Sequence, residues 1–129
     1  MSNKFIVEII SPEQTILKKE TNEVIIPSYE GQMGILKDHI PLITFLKPGL
    51  ITIMDDREKK YYVEEGTVEF SNNNLLILSS TVRDLANFDK NSINEVLQEA
   101  ETKFNSAEIS DKERFITAYK IETLKEINQ

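Results

Sequence analysis

Residues 67–100 read TVEFSNNNLLILSSTVRDLANFDKNSINEVLQEA, and within them the hydrophobic period changes. Val68 and Phe70 alternate with Thr67, Glu69 and Ser71, the two-residue period of a half-buried strand. After Val82 the spacing lengthens, and Ile93, Val96, Leu97, Ala100, Phe104 and Ala107 fall on one stripe of a helix. Ser92-Ile-Asn-Glu95 forms a capping-box pattern at the expected start of that helix, a device worth on the order of 1 kcal/mol. The changeover sets the plan of the chain, with strands first and helices last.

Upstream, FIVEII (5–10), EVIIP (23–27), LITIM (50–54), KYYVEE (60–65) and NLLILSS (74–80) are further strand candidates. Turn chemistry separates them, in Asp55-Asp56-Arg57-Glu58, Glu65-Gly66 and Asn72-Asn73-Asn74. Short strands at this spacing point to an antiparallel sandwich or barrel. Several are apolar on both faces: Phe5, Val7 and Ile9 oppose Ile6 and Ile10, Leu75 and Ile77 oppose Leu76 and Leu78, and Ile51 and Ile53 oppose Leu50 and Met54. A sandwich strand needs one apolar face. The second is covered either by helices and loops or by a partner.

Downstream, Ser110-Asp-Lys-Glu113 precedes a second periodic run: Phe115, Ile116, Tyr119, Ile121, Leu124 and Ile127. The junction NSAEIS (105–110) is short, so the two helices lie antiparallel as a hairpin. The expected class is α+β with segregated parts, a β domain over residues 1–85 and a hairpin over 86–129, hinged near Arg83–Phe88. A two-helix hairpin cannot bury enough surface to be stable alone, so it must pack on the sheet or on another protein. Docking of only a few kcal/mol leaves such an element movable.

Composition narrows the function. The chain has 129 residues, 40% apolar and 29% charged, the profile of one ordinary folded domain or a domain with an appendage. No apolar run approaches the roughly 20 residues of a membrane helix, and MSNKFIVEII reads as neither a signal nor a transit peptide. Zero cysteines exclude disulfides and thiol chemistry, and a net charge of −7 argues against nucleic acid as partner. EGQMGILKDH (30–39) holds two of the four glycines and the single histidine. His39 is the one imidazole available to a catalytic triad, but its sequence neighbour Asp38 is badly placed to orient it, so a turn or surface histidine is expected. One histidine and no cysteine leave no imidazole or thiolate metal set. Gly31-x-x-Gly34 is too short for a phosphate loop and lacks a following GK[ST], so a tight turn with positive φ is expected. Neither a catalytic centre nor a cofactor site emerges.

Gly31-Gln-Met-Gly34-Ile-Leu, then His39, Pro41-Leu-Ile and Lys47-Pro48-Gly49, resembles the ε subunit of F-type ATP synthases. That family's run reads like G-x-x-G-[IL]-L-P-G-H-x-P-L-[IL]-T-x-[IL]-K-P-G, and the match is close over residues 27–49. It extends more loosely along the chain, through Ser11-Pro12-Glu13, Glu65-Gly66 and the helical tail. Two departures stand out: Lys37-Asp38 replaces Pro-Gly, and Gln32 stands where some relatives carry a carboxylate. The resemblance implies a ten-stranded sandwich followed by a helical hairpin, in a non-catalytic rotor subunit. One side of the sandwich would meet the γ subunit, which would account for the doubly apolar strands. Tyr29, Glu30, Gly31, Gln32, Met33, Gly34, Asp38 and His39 would touch the c-subunit ring. Torque would pass from ring to stalk during proton-driven ATP synthesis, at the cytoplasmic face of a bacterial inner membrane. The hairpin would have a docked form and an extended one that meets the α and β catalytic subunits and blocks hydrolysis. Lys103, Lys112, Arg114, Lys120 and Lys125 are the cations available for such a contact, or simply a solvated helix face. Some relatives bind ATP through [IL]-D-x-x-R-A. Here Phe88-Asp89-Lys90-Asn91-Ser92-Ile93 keeps Asp89 but lacks the guanidinium, so weak or absent ATP binding is expected and no cofactor is assigned.

Two other readings belong to different classes. A free-standing β-sandwich that binds a carbohydrate or small molecule would want aromatics converging on a groove. Tyr29, Tyr61, Tyr62 and Tyr119 are scattered in sequence and there is no Trp. A regulatory enzyme using His39 would lose all turnover on His39→Ala.

Overall fold

The computed structural model describes residues 3–129. Ten strands come first: β1 (Phe5–Ile10), β2 (Thr15–Thr21), β3 (Glu23–Ser28), β4 (Gly31–Leu36), β5 (Leu42–Leu46), β6 (Gly49–Met54), β7 (Glu58–Val63), β8 (Gly66–Ser71), β9 (Asn74–Leu78) and β10 (Arg83–Asp84). A 3-10 turn at Leu85–Asn87 leads to helices α1 (Lys90–Phe104) and α2 (Asp111–Ile127). The sheet runs β10-β7-β6-β3-β5-β8-β9-β1-β2, with β4 added on β3. β3 and β5 share a single residue pair, Ser28 with Leu46, and there the sheet folds over into two layers. The expectation of an antiparallel sandwich holds for every pairing but one. β1 is antiparallel to β2 on one side and parallel to β9 on the other, with Val7 opposite Leu75.

Alternation explains the core. Phe5, Val7 and Ile9 of β1 point inward with Leu75 and Ile77 of β9, Val68 and Phe70 of β8, and Leu46 of β5. They meet Val24 and Ile26 of β3, Ile35 of β4, Ile51 and Ile53 of β6, and Tyr61 and Val63 of β7. Phe5 and Phe70 pack edge to face with ring centroids 5.6 Å apart. Register matters here, since a slip of one residue would turn every inward side chain to the solvent.

The two glycines of EGQMGILKDH do not make one tight turn, contrary to the expectation. Gly31 alone has positive φ, at 114°, and opens β4 after the Tyr29-Glu30 turn. Gly34 lies within β4 opposite Ile25, and the Glu23 carboxylate sits 3.2 Å from where its Cβ would be. It is a strand glycine that leaves room for a neighbour.

The hairpin covers one outer face only. Tyr62 of β7 and Leu50 of β6 join Phe88, Ile93, Ala100 and Leu124 in a second apolar cluster, with Val96, Leu97, Ile121 and Ile127 around it. α1 begins one turn earlier than its capping box suggests: Asp89 is the N-cap, and its carboxylate accepts from the Ser92 amide at 2.8 Å. The stripe ends at Phe104, so Ala107 falls in the connection. Ser110 caps α2 as expected, accepting from the Glu113 amide at 3.1 Å. In α2 the buried positions are Thr117, Thr123 and Leu124, while Phe115 of the expected stripe is 57% exposed.

The other layer's outer face is open. Its rows cross the strands as Phe45, Thr67, Leu78 and Ile10, then as Ile43, Glu69, Leu76 and Glu8. Ile43 is 76% exposed and Phe45 62%, with Ile40 just ahead of them in the β4–β5 connection also exposed. One layer's outer face is thus covered by the chain's own hairpin, and the other layer's is left exposed.

Candidate functional site

The residues expected to form one contact surface fall into two groups. Tyr29 and Glu30 make the β3–β4 turn, while Asp38 and His39 lie beyond the far end of β4. At about 3.3 Å per residue the two groups are roughly 20 Å apart.

At the first end, Ser28 organises the turn. Its Oγ donates to the Gly31 carbonyl at 2.8 Å and accepts from the Glu30 amide at 3.2 Å. Gln32 and Gly34 face solvent and Met33 packs partly against the core. Tyr29, half exposed, meets the hairpin: its ring lies edge to face with Tyr119 of α2, centroids 6.4 Å apart. Tyr119 in turn meets Phe115 at 5.0 Å, and the Lys47 ammonium sits 4.1 Å from the Tyr119 ring centre. The connection Lys47-Pro48 is tied back to the same corner, because the Lys47 amide donates to the Pro27 carbonyl at 3.0 Å.

At the second end, Asp38 takes φ of 67° where the resembled pattern has glycine. Aspartate tolerates this conformation when its polar groups are satisfied locally. The Asp38 amide donates to Asn73 Oδ1 at 2.7 Å, and Asn73 Nδ2 donates to Asp38 Oδ1 at 3.0 Å. Asn73 sits with Asn72 in the β8–β9 hairpin, both with positive φ as a two-residue turn of this kind needs. His39 Nδ1 lies 2.7 Å from the Ile40 carbonyl, so that nitrogen carries the proton, and the ring packs edge to face on Phe70 at 5.9 Å. The neighbouring carboxylate is held by Asn73 rather than by the imidazole. These contacts place His39 as a packed loop residue.

Three of the hairpin's cations, Lys103, Arg114 and Lys120, are engaged within the chain. Lys120 pairs with Glu64 of the sandwich at 3.1 Å, and Glu64 also accepts from the Tyr62 hydroxyl at 3.0 Å. Burial pushes the Tyr62 hydroxyl well above its ordinary range, so it stays a donor. Lys103 pairs with Glu113 across the hairpin at 3.3 Å. Arg114 donates to the Phe104 carbonyl and, at 3.3 Å, to that of Ser106, so its guanidinium closes the end of α1. Thr123 Oγ1 donates to the Tyr119 carbonyl at 3.0 Å and lies 3.5 Å from that of Pro48. Asp89, the surviving residue of the degenerate nucleotide motif, is occupied as the α1 cap. The Ser92 amide holds its carboxyl below the usual aspartate range.

The tyrosines, scattered in sequence, do not converge on a groove. Tyr61 and Tyr62 are buried in separate clusters, and Tyr29 and Tyr119 meet each other edge to face. Sequence reasoning missed Ile40, Ile43 and Phe45 as surface residues. The signal was present, since an apolar β5 ends in Lys47-Pro48 without the polar alternation of a solvent-facing strand. Among the described residues no helix is long and apolar enough to cross a membrane.

Comparison with known proteins agrees with this architecture. The family model for the β-sandwich domain of the ATP synthase delta/epsilon chain matches residues 4–84. The ATP synthase epsilon chain of Pelagibacter ubique (strain HTCC1062) is 46% identical over 130 residues, covering 99% of this chain and 100% of that protein. The chloroplastic ATP synthase epsilon chain of Guillardia theta is 36% identical over 109 residues, 84% of this chain and 82% of its own length. The fold is similar to that of a chain in the cryo-EM structure of the Euglena gracilis mitochondrial ATP synthase, OSCP/F1/c-ring. The TM-score is 0.82 at 20% identity, over 100% of this chain and 84% of the other. The chain belongs to the ATP synthase delta/epsilon family, as an epsilon chain, a non-catalytic subunit of the F-type complex.

Proposed function

We propose that this chain locks the membrane ring of c subunits to the γ subunit of the central stalk, so that ion flow drives ATP synthesis. It would do so from the cytoplasmic face of a bacterial inner membrane, as a peripheral component of the complex. In this reading the sandwich, residues 1–85, is the coupling unit. The hairpin, residues 86–129, is a separately movable element that on release meets the α and β subunits and opposes hydrolysis. Asp89, engaged as a helix cap, supports a hairpin that works without bound ATP.

The observation that carries the reading is the open apolar face. Ile43, Phe45, Leu78 and Ile6 are exposed on one sheet surface, interleaved with Glu8 and Glu69. Such a patch on a folded chain favours a protein partner, and γ is the partner the family implies. The ring contact falls to Tyr29, Glu30, Gly31, Gln32, Met33 and Gly34 at the opposite corner. Asp38 and His39 suit the γ side better, since they shape the loop that presents Ile40 and Ile43.

Replacing Ile43 and Phe45 together by aspartate tests this. Both side chains stand in solvent, so the isolated chain should melt as wild type. Co-purification with γ should fall at least tenfold, because each buried apolar side chain contributes about 1.5–3 kcal/mol. Unaltered co-purification would overturn the assignment.

A further inference from the structure

We infer that Tyr119 links the docked state of the hairpin to the shape of the β3–β4 turn. The inference deepens the proposed function, because it rests on that turn being the ring contact, and it adds a route by which ring and hairpin sense each other.

The corner is built from three separate stretches of chain. The turn supplies Tyr29, the β5–β6 connection supplies Lys47 and Pro48, and α2 supplies Phe115, Tyr119 and Thr123. The Tyr119 ring is the common member. It takes the Tyr29 ring at 6.4 Å and 78°, the Phe115 ring at 5.0 Å and 86°, and the Lys47 ammonium at 4.1 Å. Tyr29 is 45% exposed and has no other ring contact among the described residues. Among the described residues the turn's side-chain hydrogen bonds come from Ser28 and fix the backbone, leaving the direction of the Tyr29 side chain to Tyr119.

Further contacts that latch α2 lie away from this corner. Leu124 is in the apolar cluster under the hairpin, and Lys120 pairs with Glu64. Neither touches the turn. When the latch opens, Tyr119 leaves with the helix, and Tyr29 loses its one aromatic neighbour. Coupling of this kind is reciprocal. A ring surface that holds Tyr29 in its present direction therefore favours the docked hairpin, and a chain detached from the ring releases it more readily. An edge-to-face aromatic pair sets the size of the link at about two- to tenfold in the docking equilibrium.

The test uses the full chain. Amide exchange at Glu30 and Gly31 is compared in wild type, Tyr119→Ala and Tyr119→Phe, with β9 amides as internal reference. Expected are a two- to tenfold acceleration at the turn in Tyr119→Ala, wild-type rates in Tyr119→Phe, and unchanged β9 rates in both. Turn rates that stay at wild type in Tyr119→Ala overturn the link, as does acceleration shared equally with β9. A parallel measurement of Tyr29→Ala binding to isolated c-ring reads the ring assignment separately. Accelerated turn exchange with unaltered ring binding keeps the link and removes the ring from the turn.

Discussion

The two outer faces of the sandwich carry the same kind of apolar strand residue, yet one is covered by its own chain and the other is bare. On the covered side Tyr62 and Leu50 lie under α1 and α2. On the bare side Ile43 and Phe45 stand in water with Leu78 and Ile6. The covered face also carries its polar groups in matched sets, Tyr62 with Glu64 and Glu64 with Lys120. The bare face carries Glu69 and Glu8 beside aliphatic side chains, with Lys18 of β2 directly across from Glu8. A face that closes on itself has a fixed set of partners. A face left open is available to something outside the chain.

The contrast can be broken most forcefully at Leu124, which is fully buried under the hairpin. Leu124→Ala should cost about 3 kcal/mol. That is comparable with docking itself, so α2 amides should exchange far faster while β9 amides keep their protection. Equal loss in both would mean that hairpin and sandwich form one cooperative unit, and that the covered face is simply core.

Glu64→Gln is a milder probe. It weakens the pair with Lys120, whose partners are each about a quarter exposed, and should cost on the order of 0.5 kcal/mol. The loss should shrink in high salt, because a partly exposed ion pair is screened. A salt-independent loss would point instead to the Tyr62 hydrogen bond as the working contact.

The smallest effect belongs to the bare face. Ile43→Ser and Phe45→Ser should each leave unfolding of the isolated chain within about 0.5 kcal/mol of wild type. A loss of 2 kcal/mol or more at either position would show that this face also supports the fold.

What the sequence disclosed follows the same division. Strands with neighbours on both sides, such as FIVEII and NLLILSS, are apolar and legible, and their bounds fall within two residues of those expected. The strands without such support were hidden. β2 is an edge strand whose TILKKET carries Lys18, Lys19 and Glu20, charges of the kind that protect an edge from aggregation and disguise it as a loop. β4 pairs on one side only, and its two glycines read as a turn. In α2 the buried face mixes Thr117 and Thr123 with Leu124, so the apolar stripe alone misplaced Phe115. At the candidate site the residue types were legible but their grouping was not. Nothing in EGQMGILKDH announces that a strand separates Tyr29 from His39. Nor does Asp38 reveal from sequence that Asn73, far along the chain, makes its backbone conformation tolerable.

The parallel pairing of Val7 with Leu75 bears on how the chain is made. During synthesis the first strand must wait for the ninth before the second layer can complete, since β1 otherwise has only β2 beside it. Pairing across so long a stretch is slow to form compared with a local hairpin. The helices emerge last, behind a sheet that needs nothing from them to fill its interior. The hairpin thus arrives at a finished wall, and which wall it settles on is decided by Tyr62 and Leu50 after the rest of the molecule has closed.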